Sequence, residues 1–381
     1  MQKTLLYVVR YPLYEGFNLK QKFDGQIKAF QNLGYKTLFI GFDKEFFYLI
    51  DGDKKSKIGK THFTIPNYFH TFLYADLYNI SEKIIRAEKI DIVYFRNAAA
   101  FHSLYNLAKT IKKRKCKFVF EIPTYTPQIK EKALSTIREI FNLYARIWEK
   151  KIEVMPDLYV FMGDGDFDTF HGVPAIRIEN GIDPELMPMR TPVCEKDKIN
   201  ILALSSMCDW HGYDRIINSL AEYDGNQNVI IHMVGGNDGG CLTKWKALVE
   251  DNHLDENVIF HGPLYGKDLD NIFDLCDIGV NSLGMYRKGL SDTSELKLRE
   301  YISRGLPFVC SVYDVALDDL DKQFWFRVSN DDAIPNMKDI LEFANRMRNN
   351  STVAEKLHKH AMNILSWTEQ YRKVFKFLEG E

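Results

Sequence analysis

The chain comprises 381 residues, 45% of them hydrophobic, with 50 Lys and Arg against 52 Asp and Glu; that length exceeds one ordinary core and predicts two domains of roughly 200 residues or fewer each. A net charge of −2 lacks the basic excess of a nucleic-acid binder, so no nucleic-acid partner is expected. The six cysteines, at 116, 194, 208, 241, 276 and 310, include no C-x-x-C pair, which argues against a zinc site or disulfide framework and for buried thiols in a reducing compartment.

TLLYVV opens the chain as a strand, and its apolar run is too short for a signal-peptide core or a membrane span, so a cytoplasmic protein is expected. Helices near Lys22–Leu33, Ala75–Ala87 and Leu104–Lys112 then alternate with the strands KTLFIGF, DIVYF and KFVFEI. A long helical stretch from about Ile129 to Met155 precedes two more strands, DLYVFM and AIRIE. Pro184, Pro188 and Pro192 mark a linker in NGIDPELMPMRTP. Beyond it come INILALSSM, a helix near Tyr213–Tyr223, NVIIHMVGG, a helix near Leu242–Asn252, NVIFHGPL, a helix near Lys267–Leu275, and DIGVNSL. A capped helix, FVCSV and a strand at Phe324–Val328 follow, and SWTEQYRKVFKFLE reads as a closing helix. Such alternation specifies parallel sheets covered on both faces, here an α/β chain of two Rossmann-like doubly wound domains facing a central cleft. The expected boundaries are 1–187 and 188–365, with a helix at about 366–381 packing back on the first domain.

The segment Gly289–Cys310, GLSDTSELKLREYISRGLPFVC, carries the densest functional signal. Leu298, Tyr301 and Ile302 form an apolar stripe, Gly305 suits a helix C-terminus and Pro307 forbids continuation. Asp292 lies eight residues before Glu300, and Lys297 three before it. Helix entrances favour phosphates, and a carboxylate deeper in the helix can accept hydrogen bonds from a sugar diol. The same residues also have a structural reading: Asp292 and Glu295 as a D-x-x-E capping box, Glu300 as a partner of Arg304. VGGNDGG, Val234–Gly240, follows a strand as a phosphate-approaching loop would, without the spacing of G-x-G-x-x-G or of the Walker lysine loop. In SSMCDWHGYDRII, His211 and Gly212 stand where a loop can approach an anion. Asp164 and Asp166 in GDGDFD form a D-x-D that reads as a surface turn sooner than as a metal site, so no metal is expected. The sequence contains neither H-E-x-x-H nor G-x-S-x-G, which disfavours hydrolase chemistry.

In order and spacing these landmarks resemble the family 4 glycosyltransferases of the GT-B fold, over roughly Arg177–Ser311. RIENGID resembles the family's P-N-G-V-D segment, SSMCDWHG its G-R-x4-K-G loop and VIIHMVGG the strand and loop after it. HGPLYGKDLDNIFDLCDIGV resembles the base-side loop and helix, and LKLREYISRGLPFV the last helix of the E-x7-E motif. WHGYDR together with LKLREYISRGLPF is similar to bacterial polysaccharide-biosynthesis members. The resemblance implies a hexosyltransferase-type enzyme that moves a sugar from a UDP- or GDP-linked donor to a saccharide or lipid-linked saccharide acceptor. It further implies retention of configuration, no obligatory metal or cofactor, peripheral membrane contact at most, and a place in capsule, lipopolysaccharide or exopolysaccharide assembly.

Carried over residue by residue, Glu300 matches the second acid, implying contact with the donor ribose. Asp292 matches the first acid, which meets the donor sugar, but is shorter by one methylene; Glu295 and Ser291 are possible substitutes. Ser206 and His211 stand where the family has the arginine and lysine that neutralise the diphosphate. Their replacement predicts that other cations compensate, with Arg287, Lys288, Lys297 and Arg299 nearby and Lys297 with a protonated His211 as the preferred pair. Asp292, Lys297 and His211 are therefore the expected catalytic residues, and Glu300, Ser206, Gly235, Gly236, Leu296 and Tyr265 the expected donor-binding ones. In the first domain RYPLYEGFNLKQKFDGQ replaces the family's glycine-rich loop, leaving Asn18, Lys20, Arg96, Asn97 and Glu121 as acceptor-side candidates. Structural salt bridges explain the last three equally well. The lost Arg/Lys pair also leaves open a non-catalytic GT-B-like subunit that binds a nucleotide sugar or a partner enzyme.

Overall fold

The computed structural model describes residues 2–13, 19–43, 45–60, 70–97, 102–125, 136–163, 168–183, 185, 187–193, 195, 197–236 and 240–380. The chain forms two compact units, Met1–Glu179 with Trp367–Glu381, and Asn180–Ser366. The change of unit thus falls at Glu179/Asn180 rather than 187/188. The reason is local: Asn180 is held by Ser294 through its backbone N–H (3.1 Å) and side-chain amide (2.7 Å), and Arg299 Nε donates to its carbonyl at 2.7 Å.

The first unit begins with β1 (Thr4–Pro12), α1 (Lys20–Asn32), β2 (Lys36–Phe42), β3 (Phe46–Asp51), β4 (Lys54–Lys60) and α2 (His70–Ala87). It continues with β5 (Ile92–Arg96), α3 (His102–Lys113), β6 (Lys117–Tyr125), α4 (Thr136–Ile152), β7 (Leu158–Gly163), β8 (Thr169–Phe170) and β9 (Val173–Ile178). The sheet order is β4-β3-β2-β1-β5-β6-β7-β9-β8. Helices cover both faces of its parallel part, which is why Leu5, Leu6, Tyr7, Val8 and Val9 are buried in an unbroken run rather than alternately. The β3–β4 hairpin, antiparallel to β2 at the sheet edge, was not among the expected strands.

The second unit contains β10 (Lys198–Leu204), α5 (Tyr213–Ala221), β11 (Asn228–Val234), α6 (Cys241–Asp251), β12 (Val258–Gly262) and α7 (Gly266–Leu275). Then come β13 (Ile278–Val280), α8 (Leu296–Arg304), β14 (Phe308–Cys310), β15 (Trp325–Arg327), α9 (Met337–Arg348) and α10 (Val353–His360). The order β12-β11-β10-β13-β14-β15, parallel throughout, reverses direction between β10 and β13. The chain returns to the first unit as α11 (Trp367–Glu379), which packs on α1. Gly25 permits this approach, because a Cβ there would lie 2.5 Å from Trp367 Cδ1. Tyr371 accepts from Gln26 Nε2 at 2.6 Å and donates to buried Glu121 at 3.3 Å. Among the described residues no helix is long and apolar enough to cross a membrane, and the described cysteines are buried free thiols.

Candidate functional site

In an open parallel sheet the strand reversal leaves a crevice at the carboxyl ends of the two flanking strands. In the second unit those ends are Leu204 and Val280, so the loop Ser205–Gly212 and the segment Asn281–Gly284 emerge side by side. Glycines let them touch. Gly212 adopts φ 63°, and a Cβ there would lie 2.4 Å from Gly284 N. Gly235, at the end of β11 with φ 139°, passes so close that a Cβ would lie 1.5 Å from Ser205 O. Leu283 N–H donates to His211 O at 2.8 Å, joining the two segments through the backbone.

Onto this mouth α8 projects Lys297. Its nearly buried ammonium lies 3.0 Å from His211 Nδ1, 3.1 Å from Tyr213 Oη and 3.7 Å from Glu295 Oε1. Ser282 Oγ lies 2.8 Å from His211 Nδ1 and donates to Glu295 Oε1 at 2.5 Å. Glu295 Oε2 is buried with no hydrogen-bond partner among the described residues. Burial pushes Lys297 down to about 8, opposed by Glu295. His211 is pushed down to about 2, first by burial and then by Lys297 and Lys288. The expected protonated His211 is thereby corrected: the ring is neutral. A charged Lys297 must donate to Nδ1, so the proton of the neutral ring sits on Nε2 and makes His211 a neutral donor.

The helix carrying Lys297 differs from its expected start. Glu295 is the N-cap of α8, without a capping side-chain bond, and its own N–H donates to Asp314 Oδ2 at 3.3 Å. Asp292 lies outside the helix in a parallel bridge to Tyr313, so the D-x-x-E capping box is not formed. Glu300 stands one turn beyond Lys297 on the same face. Its carboxylate accepts from Arg304 Nε at 3.0 Å, and Arg304 Nη1 reaches Asp270 at 2.6 Å. Burial raises the Glu300 pKa against the pull of Arg304. Leu296, at the helix start, is 39% exposed, and Tyr265, the N-cap of α7, is 78% exposed.

Of the other cations near the mouth, Arg299 and Arg287 are committed to carboxylates, whereas Lys288 stays close enough to act on His211. Arg299 forms a fully buried bidentate pair with Asp314, at 2.6 and 2.8 Å. Arg287 pairs with Asp214 at 3.0 and 2.6 Å, and Lys288 sits 3.4 Å from the Trp210 ring centroid. Ser206 faces Cys208 at 3.6 Å, and Gly236 is half-buried beside Gly235. Sequence reasoning missed Ser282, although a polar residue just past the end of DIGV is a strand-mouth position of the kind it used elsewhere.

In the first unit Arg96 pairs with Glu121, which also accepts from Tyr94 at 2.9 Å, and Asn97 N–H donates to Glu121 O at 2.7 Å. These residues form one cluster tied to α11 through Tyr371. Lys20 pairs with Asp24 at 3.1 Å on α1, both residues half-buried. Asn18, and the D-x-D of Asp164 and Asp166, lie outside the described residues.

No protein-family profile matches this chain, and no curated protein does. Solved structures do match. A glycosyltransferase from Rickettsia africae ESF-5 superposes with TM-score 0.66 at 14% identity, over 100% of this chain and 98% of that one. Sucrose-phosphate synthase from Thermosynechococcus elongatus gives 0.65 at 13% identity, over 100% of both chains. WaaG, a glycosyltransferase involved in lipopolysaccharide biosynthesis, gives 0.63 at 14% identity, over 99% of this chain and 100% of that one. What is shared at such identity is the fold: the chain has the expected α/β architecture of two Rossmann-like units, as in the GT-B glycosyltransferases.

Proposed function

We propose that this protein is a glycosyltransferase that moves a sugar from a nucleotide-sugar donor to a saccharide or lipid-linked saccharide acceptor. The observation that carries the reading is the Lys297–His211–Glu295–Ser282 cluster at the strand reversal of the second unit, with Glu300 on the same helix. A departing diphosphate gains negative charge, and a preorganised donor aimed at it lowers the barrier. Lys297 supplies the cation that Ser206 and neutral His211 do not. His211 Nε2–H adds an uncharged donor, and the free N–H groups at the start of α8 favour the same anion. Glu300 accepts from the ribose hydroxyls, Tyr265 and Leu296 flank the base, and Gly235 and Gly236 let the backbone approach the donor. Asp292, or Glu295 with its unpartnered oxygen, takes the sugar.

In this reading the second unit binds the UDP- or GDP-linked donor and the first unit the acceptor, through Lys20, Arg96, Asn97 and Glu121. The reaction retains configuration, needs no metal, and serves bacterial surface-polysaccharide synthesis at the cytoplasmic side of the membrane. The sequence landmarks support these finer points, as does the kinship of fold with WaaG. Incubation with a panel of UDP-, GDP- and ADP-linked sugars, read by release of the nucleoside diphosphate, tests the proposal; donor turnover that is undiminished in Glu300→Ala removes Glu300 from the site. A second reading, a non-catalytic nucleotide-sugar-binding subunit, is favoured by the absence of the usual arginine and lysine. Tight nucleoside diphosphate binding without hydrolysis or transfer of any donor would establish it instead.

A further inference from the structure

Glu300 is held from behind by an arginine that the donor chemistry has not used. Its Oε1 accepts from Arg304 Nε at 3.0 Å, while its Oε2 accepts from no described residue and is not a buried orphan. Arg304 is anchored on two further sides by α7. Nη1 donates to Asp270 at 2.6 Å, and the guanidinium lies 4.5 Å from the Phe273 ring centroid. A planar guanidinium fixed at two points has little freedom at the third, so Nε is a rigid donor aimed one turn back along α8. The Arg304 side chain is 7% exposed and that of Glu300 19%. A ligand at the mouth can therefore reach the carboxylate and not the arginine.

An exposed Glu–Arg pair one turn apart is loosely held and contributes little. Here the arginine is buried, and Asp270 already balances its charge. What the bond to Glu300 fixes is the carboxylate. It sets the plane of that group and leaves Oε2, with the second lone pair of Oε1, for two adjacent hydroxyls. The charges around Glu300 act in opposite senses: burial and Asp270 on α7 raise its pKa, and Arg304 on its own helix lowers it. Of the remaining neighbours on α8, Tyr301 turns its hydroxyl to Val280 O at 3.1 Å and Lys297 turns to His211 at 3.0 Å.

We propose that Arg304 is a positioning residue: anchored by Asp270 and Phe273, it turns the Glu300 carboxylate toward the vicinal hydroxyls of the donor ribose without touching the ligand itself. The inference rests on the nucleotide-sugar reading of the second unit.

The test is titration calorimetry of the full chain with UDP, GDP and ADP and with their 2′-deoxy forms, between about pH 5 and about pH 9, folding of each variant being checked by its Tm. The ratio of deoxyribose to ribose Kd cancels the ionisation of the diphosphate and of Lys297. Wild type should favour ribose about 10- to 100-fold and lose that preference on the acid side, where Glu300 takes up a proton. Arg304→Met should cut the preference to about 3-fold or less at about pH 7 and move the acid limb upward, so that part of it returns as pH rises. Arg304→Lys keeps a cation and should stay within about 3-fold of wild type. Asp270→Asn keeps an acceptor for Nη1 but removes a charge that opposes ionisation of Glu300, so its acid limb should move downward. A wild-type ratio and pH profile in Arg304→Met overturn the proposal, as does a pH-independent loss shared by ribose and deoxyribose forms, which makes Arg304 a structural tie. If that variant does not fold, an unmoved acid limb in Asp270→Asn overturns it instead. In all these cases Glu300→Ala still abolishes the preference and the reading of the site stands; a preference that survives Glu300→Ala removes that reading and the proposal together.

Discussion

Lys297→Met removes the ammonium at the mouth of the second unit while keeping an unbranched side chain of similar length. Burial holds Lys297 at about 8 against an ordinary 10.5; Glu295 opposes that shift, and neutral His211 and the Tyr213 hydroxyl are its other close neighbours. In the free protein roughly nine-tenths of it is charged at about pH 7 and roughly 3% at about pH 9.5. A diphosphate that needs the charged form therefore binds about 30-fold more weakly at the higher pH. At about pH 7 the variant loses a charge-assisted contact of ~1.5–3 kcal/mol, or about 10- to 150-fold in affinity, and loses the pH slope as well. Titration calorimetry with UDP, GDP and ADP reads both effects, and the wild-type to variant ratio at each pH cancels the ligand's own ionisation. A ratio that stays constant between the two pH values, or a variant that binds like wild type, refutes the assignment. For the unliganded protein the sign is opposite: between about 8 and 10.5 the unfolded chain holds the extra proton, so stability rises with pH across that window.

Glu300→Ala should lower kcat/KM for the donor about 10- to 100-fold. Stability should fall by less than about 1 kcal/mol, because Arg304 keeps Asp270. His232, buried between Asn200 (3.1 Å) and His261 (3.0 Å), is pushed down to about 4 by burial. Its ordinary value of 6.5 lies above the folded one, so acidification from 6.5 to 4 protonates the unfolded chain first and removes up to about 3 kcal/mol. Urea midpoints across that range should fall steeply in the wild type and less so in His232→Gln. Gly235→Ala forces a Cβ onto Ser205 O and should cost on the order of 3 kcal/mol, lowering Tm by about 10 °C; an unchanged melting curve would contradict the close approach.

The parallel cores were legible because strands buried on both faces read as unbroken apolar runs, as in LLYVV and ILAL. The β3–β4 hairpin was not, because KKSKIGK lacks an apolar face; lysines there discourage edge pairing with another chain. Its turn signal was nevertheless present in Asp51–Gly52–Asp53, with Gly52 at φ 57°. At the mouth, Lys297 could be chosen by charge and position in the chain. The state of His211 could not, because the burial of its ring and the charges of Lys297 and Lys288, which together lower it, arise only once the fold brings distant residues to it. Likewise Arg299 looked as available as Lys297 until Asp314, fifteen residues on, claimed it.

The return of α11 to the first unit has a consequence for how the chain is made. Residues 180–366 are one contiguous stretch carrying all the strands of their own sheet, and need no strand from elsewhere in the chain to close it. The first unit starts earlier but must wait. Until Tyr371 arrives, Gln26 Nε2 lacks its acceptor, Glu121 lacks one of its donors, and Phe30 lacks the ring that later lies 4.7 Å away. The half of the molecule translated first is therefore the half completed last, and its seam stays open until residues 367–379 are free to dock.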